Sequence, residues 1–324
     1  MIGNFTKWIF WRYIRKLIAR IPLSVIHIIV PIISLFQLIA SSNRRKITIS
    51  ELSSSNLIDK KNTFQMLFRS FINQNNFQVK MCYLPNINRE NVNDYFRVDG
   101  IQYLDEAMKG GYGTVLLNPH FGPFLLVMPA LGHMGYKLNQ VVLQGEPIIG
   151  RRKGLDRMIY DAKFNAIDRN LPANFINAAN NKLAIRNVLT SLSKNEIVLF
   201  ASTGRGGKSW HEVNFLGRRA TFNLTPFKVA LKTGSTLIPV FVIDSKPIPQ
   251  VIIEKPLEVK EGETPEQMLE KYISVLSLFV KRYPEHFAFY LYDMHVQAWW
   301  DDHPLFSDYP MKIRQRKAEG KHVQ

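Results

Sequence analysis

Residues 114–124, Thr114-Val115-Leu116-Leu117-Asn118-Pro119-His120-Phe121-Gly122-Pro123-Phe124, limit the possible folds of this chain more than any other stretch. An apolar run ends in a histidine and helix-start signals follow at once, with Gly122 placed to act as N-cap and Pro123 suited to the first helical position. The apolar residues Leu125-Leu126-Val127-Met128 carry the expected helix onward. A strand that hands its last residues to a helix N-terminus is how open α/β sheets present chemistry at their carboxyl edge. His120 is presented there, and imidazole is the side chain best suited to take a proton near neutral pH. The competing reading is a histidine satisfied by backbone at a strand end.

The pattern downstream fits the same architecture. From about residue 100, strands are predicted at 113–119, 138–143, 196–201, 236–243 and 249–254. Helices are predicted at 102–109, 123–134, 150–167, 179–193, 223–232 and 265–282. Such alternation predicts an α/β fold with a mixed, mostly parallel central sheet flanked by helices. Upstream, residues 44–78 read as two helices, and 82–98 are polar with a turn at Pro85-Asn86. The stripe Phe287, Phe289 and Leu291 reads as a half-buried strand. A chain of 324 residues accommodates one large α/β domain with an appendage, or two domains. The expected division is a membrane-anchoring helical segment at 1–43, an α/β domain at 44–310 and a loose basic tail at 311–324.

Charge narrows the class of partner. Lys plus Arg number 42 against 26 Asp plus Glu, a net +16, which favours an anionic partner: nucleic acid, an anionic membrane or an acidic carrier protein. Half of that excess lies in the first fifty residues, at Lys7, Arg12, Arg15, Lys16, Arg20, Arg44, Arg45 and Lys46, with no acid before Glu51. Between the two basic clusters, residues 21–40 form an apolar run about one bilayer span long, interrupted by His27, Pro31 and Gln37. Ahead of it, Phe5, Trp8, Phe10, Trp11 and Tyr13 mix with basic residues, as in a helix lying among lipid headgroups. Basic residues grouped around apolar ones point to an anionic membrane surface and away from nucleic acid. The single cysteine, Cys82, excludes an intrachain disulfide and offers no zinc-type spacing.

A second apolar run, Ile197-Val198-Leu199-Phe200, leads into Ala201-Ser202-Thr203-Gly204-Arg205-Gly206-Gly207-Lys208-Ser209. Glycines let backbone N–H groups approach a phosphate closely, and Arg205 and Lys208 add charge. The loop misses a nucleotide-binding P-loop, because Ser202 stands where that motif's first glycine belongs and the required helix does not follow. A phosphate-gripping loop of another kind, or a solvated turn, remains. Arg218 and Arg219 are further candidates for phosphate or an acidic partner, with an ordinary basic turn as the alternative. Glu146, Arg151 and Arg152 follow a predicted strand end and are placed on the same rim.

In order along the chain stand a basic apolar N-terminus, strand-NPHFG-helix, strand-glycine-rich loop, FLGRRA (215–220), TGSTLIPVF (233–241) and YPEHFAFYLYDMH (283–295). Together these resemble the lipid A biosynthesis acyltransferase family, within the lysophospholipid acyltransferase superfamily, over about residues 5–295. The resemblance implies transfer of a fatty acyl group from acyl carrier protein or coenzyme A to a hydroxyl of a membrane lipid or glycolipid. It also implies a place on the cytoplasmic face of a bacterial inner membrane. No metal or bound organic cofactor is required, since the carrier thioester is a co-substrate.

His120 then becomes the general base. Gly122, Gly204, Arg205, Lys208, Arg151, Arg152, Arg218 and Arg219 become candidates for holding donor or acceptor, with Phe121 and Phe124 lining an acyl groove. In the family, an Asp or Glu follows the histidine after four intervening residues and orients the imidazole. Here that position is Leu125. The family's acidic residue before the glycine-rich loop is likewise replaced, by Ala201-Ser202-Thr203. Glu146 and Asp293 are the candidate substitutes. The alternative is a relative that binds lipid without catalysis.

Overall fold

The computed structural model describes residues 2–59, 61–143, 154–204, 206–244, 248–298 and 303–309. Among the described residues, six α-helices precede the first strand, the first five being α1 (Ile2–Ile9), α2 (Arg15–Ile18), α3 (Leu23–Ala40), α4 (Ser42–Ser54) and α5 (Thr63–Tyr83). Helix α3 contains the long apolar run, and its residues have two destinations. Ile26, Val30, Ser34 and Leu38, each four apart and so on one face, are buried. They pack along α5, with Tyr83 meeting Ile26 and Val30, and Leu67 and Phe71 meeting Leu38. The opposite face is apolar yet open, with Ile28 67%, Phe36 69% and Ile39 65% exposed.

The second basic cluster is largely spent inside the protein. Arg45 donates to the carbonyls of Leu38 and Ile39, closing the C-terminal end of α3. The Arg44 guanidinium lies 3.7 Å from the centre of the Phe289 ring.

Seven strands form the central sheet in the order β1-β9-β8-β2-β5-β3-β4. They are β1 (Arg97–Asp99), β2 (Thr114–Leu117), β3 (Leu138–Val142), β4 (Asn174–Asn177), β5 (Ile197–Phe200), β8 (Thr236–Ile243) and β9 (Gln250–Ile253). All neighbours run parallel except β8 and β9. The remaining two, β6 (Trp210–Phe215) and β7 (Arg218–Asn223), make a separate antiparallel hairpin. Its two-residue turn, Leu216-Gly217, has both φ values positive, at 55° and 77°, the geometry that matches hairpin twist.

Among the described residues, the helices after α5 are α6 (Val92–Tyr95), α7 (Ile101–Lys109), α8 (Val127–His133), α9 (Gly154–Ile167), α10 (Asn181–Ser193), α11 (Thr225–Thr233), α12 (Pro265–Arg282) and α13 (Ala288–Gln297). They cover both faces of the sheet, which is why its central strands are continuous apolar runs. Val115 and Leu117 enter one core and Leu116 the other.

The five strands expected after residue 100 are present, along with four more. Two sequence expectations are corrected. Phe287 caps the junction between a 3-10 turn (Pro284–His286) and α13, and Phe289 and Leu291 lie in α13, so the stripe is not a strand. Gly122 and Pro123 do not open a helix: a 3-10 turn spans Phe124–Leu126 and the α-helix begins at Val127. Gly122 instead sits at φ +55°, where an added Cβ would lie 2.3 Å from the Val242 carbonyl oxygen. Glycine is demanded there by close backbone approach as well as by φ.

Candidate active site at the edge of β2 and β5

Parallel pairing of β2 with β5 sets Leu117 opposite Phe200. The ladder continues past both strands, since Asn118 N–H donates to the Phe200 carbonyl and Ser202 N–H donates to the Asn118 carbonyl. Three residues beyond that register stand His120 on one side and Thr203 on the other. Chain connections diverge here, β2 leading toward β3 and β5 toward β8 on the far side of β2, so this is a switch point of the sheet.

Each residue is held by a tight turn. The Phe121 N–H donates to the Pro119 carbonyl across His120 at 2.7 Å, and the Gly204 N–H donates to the Ala201 carbonyl at 2.6 Å. Thr203 Oγ1 accepts the backbone N–H of His120 at 2.9 Å and lies 2.8 Å from its Nδ1. Thr203 is fully buried, and its carbonyl accepts the hydroxyl of Tyr290 from α13. The Tyr290 ring also stacks on the imidazole, 5.2 Å between centroids and 7° from parallel, while Phe124 meets it edge-on at 4.6 Å.

Among the described residues, the His120 ring has no side-chain hydrogen-bond partner beyond Thr203, and no carboxylate is bonded to it. Burial pulls its pKa from the ordinary 6.5 down to about 4, so the ring is neutral and able to accept a proton at neutral pH. The half-buried ring faces a cavity of about 530 Å³. That cavity runs from the β2 and β5 edge between β3, β4 and α10, and its walls include Phe124, Leu125, Met128, Phe175 and Val188. Leu125, where the resembling family has an acid, is part of this hydrocarbon wall. Gly204 and the exposed Lys208 border the same space.

Other sequence candidates lie elsewhere. Phe121 does not line the cavity: it is fully buried on the other side of its turn, stacked on His286 and set edge-on to Phe241. Gly122 contributes its N–H to the His286 carbonyl at 2.8 Å. Arg218 is drawn into the body, paired with Glu51 at 2.7 Å and, through Nε and Nη2, with both oxygens of Asp308 at 2.9 and 2.7 Å. Glu51 also meets Nδ1 of His295 at 2.7 Å, and Phe306 lies under the guanidinium at 3.6 Å. Arg219 is exposed and paired with Glu212. Asp293 faces Arg44; burial pushes its pKa up to about 6, with Arg44 opposing. Glu146, Arg151, Arg152 and Arg205 lie outside the described residues, as does the tail from 310.

Thr203 and Tyr290 are not among the site residues expected from sequence, although Thr203 lies in the segment that replaces the family's acid before the glycine-rich loop and Tyr290 lies within YPEHFAFYLYDMH. The pairing of β2 with β5 is what brings Thr203 to His120.

No curated protein matches this chain significantly. A model of the bacterial lipid A biosynthesis acyltransferases does, over residues 8–292, which contain His120, the glycine-rich loop and the first half of α13. With nearly its whole length matched and its histidine placed at the mouth of an apolar cavity, the chain belongs to the bacterial lipid A biosynthesis acyltransferase family.

Proposed function

We propose that this protein transfers a fatty acyl group from a carrier thioester, acyl carrier protein or coenzyme A, to a hydroxyl of a membrane lipid or glycolipid. The observation that carries this reading is a neutral, partly open imidazole at the end of β2, facing a cavity walled by hydrocarbon. Nε2 of His120 takes the proton of the acceptor hydroxyl as its oxygen attacks the thioester carbonyl. An oxyanion forms and collapses, the carbon–sulfur bond breaks, and the leaving thiolate recovers the proton from Nε2. The apolar cavity takes the acyl chain. Lys208, with Arg205 beside it in sequence, is placed to meet phosphate on the donor arm or the acceptor.

The exposed apolar face of α3 supports attachment to a membrane, with the basic N-terminal residues meeting anionic headgroups. We place the protein on the cytoplasmic face of the inner membrane, where carrier thioesters are made. The direct test supplies long-chain acyl carrier protein or acyl-coenzyme A together with a bacterial lipid extract. A mass gain of one acyl chain, absent with His120→Ala, is the expected result; equal transfer by the variant ends the assignment. Leu125 favours one competing reading, a lipid-binding relative without catalysis. That reading prevails if the chain binds lipid but no donor yields acylated product.

A further inference from the structure

We propose that Thr203 takes the place of the absent carboxylate as the positioning residue of His120, its Oγ1 accepting the Nδ1–H and so leaving Nε2 as the base. The inference rests on the transferase reading for its purpose, and on geometry for its content. Thr203 Oγ1 lies 2.8 Å from Nδ1 and also holds the backbone N–H of the same residue at 2.9 Å. One oxygen thus grips the histidine at two points, fixing both ring rotation and the turn that carries it.

The threonine is itself fixed. It has no exposed surface, and the Tyr290 hydroxyl donates to its carbonyl while the Tyr290 ring covers the imidazole. The Thr203 oxygen has two lone pairs, enough for both N–H groups, and one proton of its own, for which Nδ1 is the one acceptor in reach among the described residues. A neutral imidazole carries one N–H, so the hydroxyl either accepts from Nδ1 and leaves Nε2 free, or donates to Nδ1 and leaves the ring proton on Nε2; the first arrangement is the one proposed, because it alone leaves a base for the acceptor hydroxyl. A carboxylate in this role would also stabilise the imidazolium formed during the reaction. Threonine supplies only orientation. The depressed pKa agrees with that division of labour, since burial disfavours the charged ring and no anion offsets it.

The test uses full-length protein in detergent with 15N-labelled histidine. The His120 resonances are identified by their loss in His120→Gln, and Nδ1 and Nε2 are read separately. The expected wild-type ring carries its proton on Nδ1. Thr203→Val, nearly identical in shape, loses that fixed tautomer and lowers kcat by about 10- to 100-fold with KM little changed, the range that loss of an outer partner costs at a metal-bound histidine and well short of the loss when a charged triad partner is removed. Thr203→Ser restores both tautomer and rate. Thr203→Asp raises the pKa of His120, seen as an upward move of the acid limb of the rate profile. A wild-type ring protonated on Nε2, or a Thr203→Val protein with unchanged tautomer and kcat, overturns the proposal. Failure of the wild-type protein to transfer any acyl group would sink the functional reading instead, while the nitrogen spectra would still decide the role of Thr203.

Discussion

His120 and His286 lie on either side of one loop, and their surroundings separate a reactive histidine from a structural one. Both are neutral through burial, with pKa values lowered to about 4 and about 3. His286 spends both ring nitrogens on the protein. The Asp244 N–H donates to Nε2 at 2.8 Å, and Nδ1 lies 3.3 Å from Nδ2 of Asn73. Its carbonyl holds Gly122, and Asp244 is locked in turn by Lys80 and Asn76. His120 spends one nitrogen on Thr203 and turns the ring toward a cavity. A depressed pKa therefore marks burial in both; a free nitrogen beside an opening marks the candidate base.

Removing each histidine gives the largest contrast. His120→Ala should lower transfer by about 10²- to 10⁴-fold, the usual contribution of a general base, with the unfolding midpoint little moved. His286→Ala should show the reverse. It leaves the buried Asp244 N–H unpaired and opens a void, a loss of about 2–4 kcal/mol by denaturant titration, with much smaller loss of kcat per folded molecule.

The Arg218 clasp sharpens the same distinction, since it is buried and paired but remote from the cavity lining. Arg218→Ala should destabilise by about 3–5 kcal/mol, because Glu51 is left buried without its main cation, while KM for donor and acceptor stays close to wild type. A large rise in KM without loss of stability would return Arg218 to substrate binding.

Gly122→Ala forces a Cβ against the Val242 carbonyl and the His286 ring, so it should lose about 1–3 kcal/mol and disturb His120 by moving its turn. Solving its structure or measuring its kcat beside its melting point separates the two effects.

The smallest expected effect is in pH. A base acts only when unprotonated, so with its pKa at about 4 the kcat/KM of the wild type should rise through that region. It should then stay level across the interval near 6.5 where an ordinary histidine switches. In stability the sign is the same for both rings: the unfolded chain binds their protons first, so stability is full above 6.5 and falls as pH drops toward 4 and 3.

Much of this arrangement was legible in the residues. The central strands announced themselves as buried apolar runs, and His120 stood at the end of one. The elements that went unread have common physical reasons. β1 and β4 are edge strands of three and four residues with few apolar positions, too short for a period to declare itself. Phe287, Phe289 and Leu291 alternate as a strand would, yet the neighbours Ala288 and Tyr290 are buried too, so the segment packs on several sides and folds as a helix. Arg218 has the composition of a solvated turn, and only Glu51 and Asp308, distant in sequence, reveal it as interior. Thr203 illustrates the hardest case. Its partner lies 83 positions away, and no local pattern encodes which parallel strands become neighbours.

The alignment of Leu117 with Phe200 makes the meeting of His120 and Thr203 a matter of counting, three steps along each chain. Lengthening either segment by a single amino acid would carry its side chain past the other, whatever replaced it chemically. Insertions among the glycines after position 204 carry no such penalty. Related chains are therefore free to differ in the length of that glycine tract, while the two short spacers before it must keep equal length for histidine and hydroxyl to stay in reach.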